Sequence, residues 1–422
     1  MSRPSPWARA RLALLLGGIS AFGPLSIDMY LPAFPEIADG LDTGQAQVQL
    51  TLTAFMIGMA VGQAVVGPLS DTLGRRLPLL AGLTAYTMAS LACAISPSVF
   101  TLVGLRFAQG VAAAAGVVIA RAAVRDIFTG PAMARFFSML MLVSGLAPIL
   151  APLIGAQVLR WTNWQGVFVV LAYFGVLLLI AATVCLRETL PPPKRRPANP
   201  RQIMRTYLRV ATDRTFVAYA TSIGFVTAAM FAYIAGSPFV LQELHGLSPQ
   251  TYSLVFGANA LGLMLFTQVN GILLRWLSPR VLLTVGLALS ALAGAGVYTA
   301  VAMELELVYL LTALFLVVAS LGIVSPNATA LALADHGNRA GTASALLGVI
   351  QFLIGGLAAP LVGLGAERSA TPMATVIAGM SAAGLIAFAL LRPTRRRPGR
   401  YAAFRQADTI PFRPVGSPRG HV

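Results

Sequence analysis

Asp28 and Arg106 carry opposite charges inside stretches that are otherwise apolar. A charge in the bilayer interior costs several kcal/mol unless it is paired or wetted, so such residues mark ion or substrate pathways. If a first span, 12–32, ends near Pro32, Asp28 lies about 6 Å below its outer end at the helical rise per residue. A fourth span entering near Phe100 puts Arg106 about 9 Å below the same surface. The two side chains are therefore expected at a similar depth, as partners. A carboxylate so placed can take up and release a proton, and protonation would loosen its hold on Arg106 or compete with a cargo. The alternatives are a static ion pair that orders the helices, or an Asp28 solvated at a helix end.

Other polar and aromatic residues within apolar runs are candidates for a substrate cavity: Tyr30, Gln109, Tyr219, Tyr233, Asn259, Gln268 and Asn327. A small-molecule pocket is mostly apolar with a few placed polar groups, which this set could supply, although each could equally serve as an interhelical hydrogen bonder. Met29, Met56 and Met59 offer adaptable packing. His245 and His336 fall in loops, which argues against a histidine proton relay. No Gly-x-x-x-x-Gly-Lys motif supports drive by ATP, and no catalytic cluster or metal-ligand spacing points to an enzyme, a metal or a cofactor. Cys93 and Cys185 lie in apolar runs at no ligand spacing.

The elements that must position these groups are legible from composition. The chain has 422 residues, of which 57% are hydrophobic and only 10% charged; a soluble domain carries about a quarter charged residues. Twelve apolar runs follow, at 12–32, 48–70, 77–96, 100–121, 136–158, 164–186, 215–238, 250–275, 279–302, 306–332, 341–364 and 371–391. Each is long enough, at about 20 residues, to span a bilayer. Of the 30 Lys and Arg, 27 fall in alternate loops, which assigns those loops and both termini to the cytoplasm. The net charge of +16 is spread over loops and forms no single face, so it is not a nucleic-acid footprint. Glu36, Asp39, Asp42, Glu243, Glu304, Glu306 and Glu367 mark the outer loops. The predicted organisation is a six-helix bundle (1–186), a basic cytoplasmic linker (187–214) with an interfacial helix near 200–210, a second six-helix bundle (215–391) and a basic, disordered cytoplasmic tail (392–422). No cleavable signal peptide is evident, because the first apolar run leads into Asp28-Met29-Tyr30-Leu31-Pro32.

Between the second and third runs lies Gly67-Pro68-Leu69-Ser70-Asp71-Thr72-Leu73-Gly74-Arg75-Arg76, read as a tight hairpin. Its Gly67, Asp71, Gly74, Arg75 and Arg76 resemble the signature loop of the major facilitator superfamily, with a worn echo at Gly271–Arg280 in the second half. Leu102-x-x-x-Arg106-x-x-Gln109-Gly110 resembles the fourth-span motif of the proton-coupled branch, and places Arg106, Gln109 and Gly110 on one helix face. In the fifth run, Gly145, Pro148, Pro152 and Gly155 are similar to the antiporter motif of drug exporters, with Ala147 and Ala156 where that motif has glycine. Asp28–Pro35, Ala147–Pro152, Gly236–Val240 and Gly341–Leu346 resemble the Bcr/CflA group of bicyclomycin and chloramphenicol exporters. The resemblance implies a twelve-helix, all-α facilitator fold in the bacterial inner membrane. It also implies exchange of protons for small amphiphilic drugs, with the proton gradient as energy source and no cofactor. Asp28 and Arg106 would then couple the proton, and the 67–76 loop would gate the cytoplasmic ends of the halves. A monomer is expected, with drug, protons and lipid as partners and no nucleic acid. A carrier of a metabolite such as a sugar or nucleoside is the alternative, and a non-transporting membrane sensor is the alternative of another class.

Overall fold

The structure is a computed structural model that describes residues 6–128, 130–195, 200–334, 340–363 and 369–391. Among these residues it is helical throughout, without strands. In chain order the helices are α1 (Pro6–Ser20), α2 (Phe22–Asp28), α3 (Phe34–Gly40), α4 (Gln45–Leu73), α5 (Arg76–Ala94), α6 (Val99–Ile127), α7 (Gly130–Val158) and α8 (Trp164–Cys185). They continue with α9 (Pro200–Ala211), α10 (Arg214–Pro238), α11 (Pro249–Leu273), α12 (Pro279–Ala302), α13 (Leu307–Leu333), α14 (Ala340–Gly363) and α15 (Thr371–Leu391). Ten of the described helices are long and apolar enough to cross a membrane, and the bent pair formed by α1 with α2–α3 makes an eleventh. Against the twelve predicted spans, α7 contributes Gly145–Val158 as a described apolar segment. The predicted tail 392–422 and His336 lie outside the described residues.

Where sequence boundaries fail, prolines are the cause. Pro32 was expected to end the first span. Instead it opens a 3₁₀ turn, Leu31–Ala33, and Pro35 sits in the first turn of α3. Proline is tolerated at those positions because its missing N–H has no intrahelical partner to lose. The first span is therefore a rod bent by 43° between Ser20 and Phe22 that reaches Gly40. Asp28 stands at a second break, where α2 gives way to the 3₁₀ turn, about 18 Å along the chain from that end rather than 6 Å. Likewise the expected hairpin at 67–76 is mostly helix. α4 carries Pro68 inside it and runs to Leu73, so the turn shrinks to Gly74 and Arg75. Gly74 has φ +92°, a conformation only glycine adopts without strain.

Helices α1–α8 pack mainly on one another, as do α10–α15, and two long contacts join the groups: α4 against α14 and α7 against α11. Within the first group α4 and α6 touch backbone to backbone. A Cβ on Gly110 would lie 2.1 Å from the carbonyl oxygen of Phe55, so the approach at this position requires glycine. Small residues allow such approach where lipid offers no hydrophobic drive for helix association.

Candidate functional site

The Ser26–Tyr30 segment faces α6, and there Arg106 is fully buried. Its guanidinium donates to the Ser26 carbonyl at 3.0 Å and to Gln109 Oε1 at 2.5 Å. Its carbon lies 4.3 Å from the ring centre of Phe55, 4.5 Å from Tyr30 and 5.8 Å from Phe168. Gln109 in turn donates to Ser90 Oγ at 2.7 Å, Ser26 Oγ meets the Tyr86 hydroxyl at 2.6 Å, and Tyr30 bonds Thr51. A desolvated cation over aromatic faces is stabilised by about 2 kcal/mol. Aromatic faces and neutral acceptors thus hold this charge where a carboxylate was expected.

Asp28 does not pair with Arg106. Among the described residues it makes no ion pair and no hydrogen bond, although it is only 4% exposed. Helical geometry explains the miss. Ser26 and Tyr30 are four apart and share the face turned to α6, whereas Asp28, two residues beyond Ser26, points about 200° away. On that other side its charge acts on the hydroxyls of Tyr233 and Tyr252, in α10 and α11. Asn259 donates to the Tyr233 hydroxyl at 2.8 Å, Phe256 stacks on Tyr233 at 5.6 Å, and Tyr252 meets Ser237 at 3.3 Å. An unpaired carboxylate of one helix group thus lies within electrostatic reach of an aromatic, hydrogen-bonding wall of the other.

The remaining cavity candidates are scattered. Asn327 is tied to Asn270 at 2.5 Å and to the Ile323 carbonyl, an α11–α13 fastening. Tyr219 lies beside Phe388 near the start of α10. Gln268 is exposed on α11. Tyr219 belongs to a different apolar cluster from Tyr233 and Tyr252.

Of the antiporter-like residues, Gly155 is the tightest contact. A Cβ there would lie 1.8 Å from the Met29 carbonyl oxygen, so α7 bears directly on the break that carries Asp28. Gly145 faces the Met264 side chain of α11. In the proline-containing stretch the carbonyls of Pro152 and Ala156 accept from Ser253 (3.0 Å) and Gln250 (3.2 Å) of α11. Pro148 lies half-buried one turn before them.

The Gly74 turn is clamped within its own helix group. Arg75 reaches Asp71 (2.6 Å), Ser70 Oγ (2.7 Å) and Asp126 at the end of α6 (2.9 Å). The amides of Arg75 and Arg76 donate to Glu188, at 2.8 and 3.3 Å, and Arg76 also donates to the Thr183 carbonyl. Burial pushes the Glu188 carboxyl up, but donation from the amides of Leu190, Arg75, Arg76 and Thr189 brings it below the usual glutamate range. Desolvation opposes the Arg75 charge, yet Asp126 and Asp71 outweigh it and raise its pKa. The loop expected to gate the cytoplasmic ends of the two halves is fastened in this structure within the first helix group. Among the described residues its partners lie between Ser70 and Glu188, because the positive φ at Gly74 aims the following amides back at the chain leaving α8.

The bridge between groups lies at the opposite end. Gln49 Nε2 donates to the Ala235 carbonyl (3.1 Å) and Thr53 Oγ1 to that of Gly356 (3.0 Å), while Gln45 meets Glu243 at 3.2 Å. The two group-to-group contacts are thus fastened alike, each by a pair of polar side chains three or four residues apart on one helix: Gln49 and Thr53 of α4 donate to carbonyls of α10 and α14, and Gln250 and Ser253 of α11 to carbonyls of α7.

A profile of the Major Facilitator Superfamily matches residues 15–360. The chain belongs to that superfamily. It is a multi-pass membrane transporter rather than an enzyme. An uncharacterized MFS-type transporter of Bacillus subtilis, YdgK, is 40% identical over 390 residues, covering 92% of this chain and 97% of that one. A bicyclomycin resistance protein homolog of Haemophilus influenzae is 30% identical over 360 residues, covering 85% and 90%. Among solved structures, a bacterial homolog of the human lysosomal transporter Spinster, inward-facing and occupied, superposes with a TM-score of 0.74 at 16% identity, covering 92% and 97%. The last shows the fold alone. The named resistance relatives support the superfamily's drug-efflux branch, as the motifs implied.

Several residues of this facilitator's site escaped sequence reasoning. Phe55, Phe168, Ser26, Ser90 and Tyr86 complete the Arg106 cage, and Asp126 and Glu188 hold the Gly74 turn. One signal was present. Gln49 and Thr53 are polar, four apart and therefore on one face of an otherwise apolar span.

Proposed function

We propose that this facilitator exports small amphiphilic drugs in exchange for protons, with Asp28 as the group that carries the proton. The observation that carries the reading is the buried Asp28 carboxylate, which has no partner among the described residues and is close enough for its charge to be felt at Tyr233, in the other helix group. Such a carboxylate has two ways to lower its energy: bind a proton, or accept hydrogen bonds or positive charge from a cargo. The two compete, and that competition is what exchange requires. Arg106 sits one helix face away, caged by aromatics, and makes no ion pair with Asp28. The close Gly155–Met29 contact makes α7 a backing plate, so that movement of α7 against α11 is transmitted to the Asp28 break.

In this reading the chain has twelve spans in two six-helix halves with both termini in the cytoplasm of a bacterial inner membrane. It works as a monomer and needs no cofactor beyond the proton gradient. The halves rock about the central wall. The Gln49, Thr53, Gln250 and Ser253 bonds seal the outer end in the present state, and the Gly74 turn keeps the cytoplasmic end of the first half rigid while the second moves.

The test is drug-stimulated proton release in inverted vesicles with an acid lumen, wild type against Asp28→Asn. A signal with chloramphenicol or a bicyclomycin-like compound that vanishes in the variant, with insertion retained, is the expected result. A signal that survives the substitution moves the proton elsewhere. Silence towards every drug, with solute-linked proton movement for a sugar or nucleoside, replaces drug export by a metabolite carrier.

A further inference from the structure

Helix α9 is not a candidate span, and its sides have three different characters. Val210 is fully buried in the core formed by the start of α10 with α12 and α13, and Tyr207 is half-buried. Met204 and Leu208, four apart, are 58% and 57% exposed. Arg205 and Arg209, also four apart, form the next stripe; both are exposed, and among the described residues neither makes an ion pair. The helix packs against α14 and α10 and leads, through the Asp213 cap, directly into α10. Its position is therefore the bilayer boundary, at the end of the molecule that carries Arg75.

We infer that α9 lies in the headgroup layer and binds anionic phospholipid, with Met204 and Leu208 in the acyl boundary and Arg205 and Arg209 on lipid phosphates. An exposed apolar stripe beside a cationic one, on a helix already seated on a membrane-spanning core, is what an interfacial helix presents. Water would leave Met204 and Leu208 without apolar contact. A protein partner would need acidic groups beside an apolar ridge, whereas the bilayer supplies phosphate and acyl chain in that order along its normal. Charge complementarity selects the anionic lipids, because each exposed arginine near such a surface favours them by a factor of about five. The functional weight falls on α10, the helix that carries Tyr233. A lipid-held α9 fixes the depth at which α10 starts. The inference rests on the membrane-spanning fold and stands whether or not protons drive transport.

The full-length protein, with Cys93 and Cys185 replaced by Ser and a bimane label on Ala211→Cys, is placed in nanodiscs of equal phosphatidylcholine and phosphatidylglycerol. Bromine is carried on the acyl chains of one lipid or the other. The expected result is quenching by both lipids, with phosphatidylglycerol favoured about fivefold or more over its share of the disc. In Arg205→Gln/Arg209→Gln that preference falls to about one while quenching by phosphatidylcholine persists, which also reports that the variant is folded and seated. Absence of quenching in the wild type places α9 in water and overturns the inference. Equal quenching by the two lipids in the wild type, or an unchanged preference in the variant, removes the arginine–phosphate contact and overturns it as well.

Discussion

The outer seal can be weakened without touching an apolar contact, by the double substitution Thr53→Val/Ser253→Ala. Each hydroxyl crosses between helix groups, Thr53 to the Gly356 carbonyl at 3.0 Å and Ser253 to the Pro152 carbonyl at 3.0 Å. Each also has an acceptor on its own helix, Gln49 at 3.3 Å and Pro249 at 2.8 Å. The crossing bond is thus a shared one, and its contribution is set at the ordinary membrane value of about 0.6 kcal/mol. Two such bonds give about 1.2 kcal/mol, which is an approximately eightfold change in the equilibrium between sealed and open outer ends. An open population of ~1% would become ~7% by the same arithmetic. Gln49 is left in place because its Oε1 is buried without a partner. Removing that side chain would relieve one unfavourable burial while deleting one favourable bond, and the two effects would mask each other. Spin labels on Asp39→Cys and His245→Cys, both exposed at the sealed end, report the separation by double electron–electron resonance. The long-distance population is expected to rise about sevenfold, with unchanged thermal stability of each half. An unchanged distribution in a correctly inserted double variant would refute the argument and leave the seal to apolar packing alone.

Two other substitutions test the site's construction. Gly155→Ala puts a Cβ where the Met29 carbonyl stands 1.8 Å away, so α7 and the Asp28 break must part at a cost of about 1–3 kcal/mol. A lower melting temperature with loss of transport is expected, while Gly145→Ala, facing only the flexible Met264, keeps both; wild-type behaviour of Gly155→Ala would contradict the backbone contact. Arg106→Lys keeps the charge but loses the fork that serves the Ser26 carbonyl and Gln109 together, and loses the flat stack on Phe55 and Tyr30. A loss of roughly 2 kcal/mol is expected, since one buried acceptor is left unpaired; thermal unfolding in detergent measures it, and a lysine variant as stable as wild type would show that charge alone matters.

What the sequence determined by itself follows from the bilayer as solvent. Apolar runs of sufficient length, basic residues sorted to alternate loops and a glycine-and-arginine turn after the second run restrict the chain to a polytopic helical carrier, because lipid tolerates few other arrangements of backbone. Asp28 and Arg106 were legible for the same reason, since each stands out as a charge in an apolar stretch. Their relation was not. Depth can be counted along a helix from its ends, and the shared layer was found that way, although Pro32 misled the count by opening a new turn instead of closing the span. Which way a side chain points around the axis depends on where the helix breaks and on which neighbour touches it. Two residues of offset, Ser26 against Asp28, sent the carboxylate to the Tyr233 wall and left the arginine to aromatic rings. The inter-group bonds of Gln49, Thr53, Gln250 and Ser253 end on backbone carbonyls, and a carbonyl has no letter in the sequence. Only the packing of α4 on α10 and α14 and of α7 on α11 decided which carbonyls those would be.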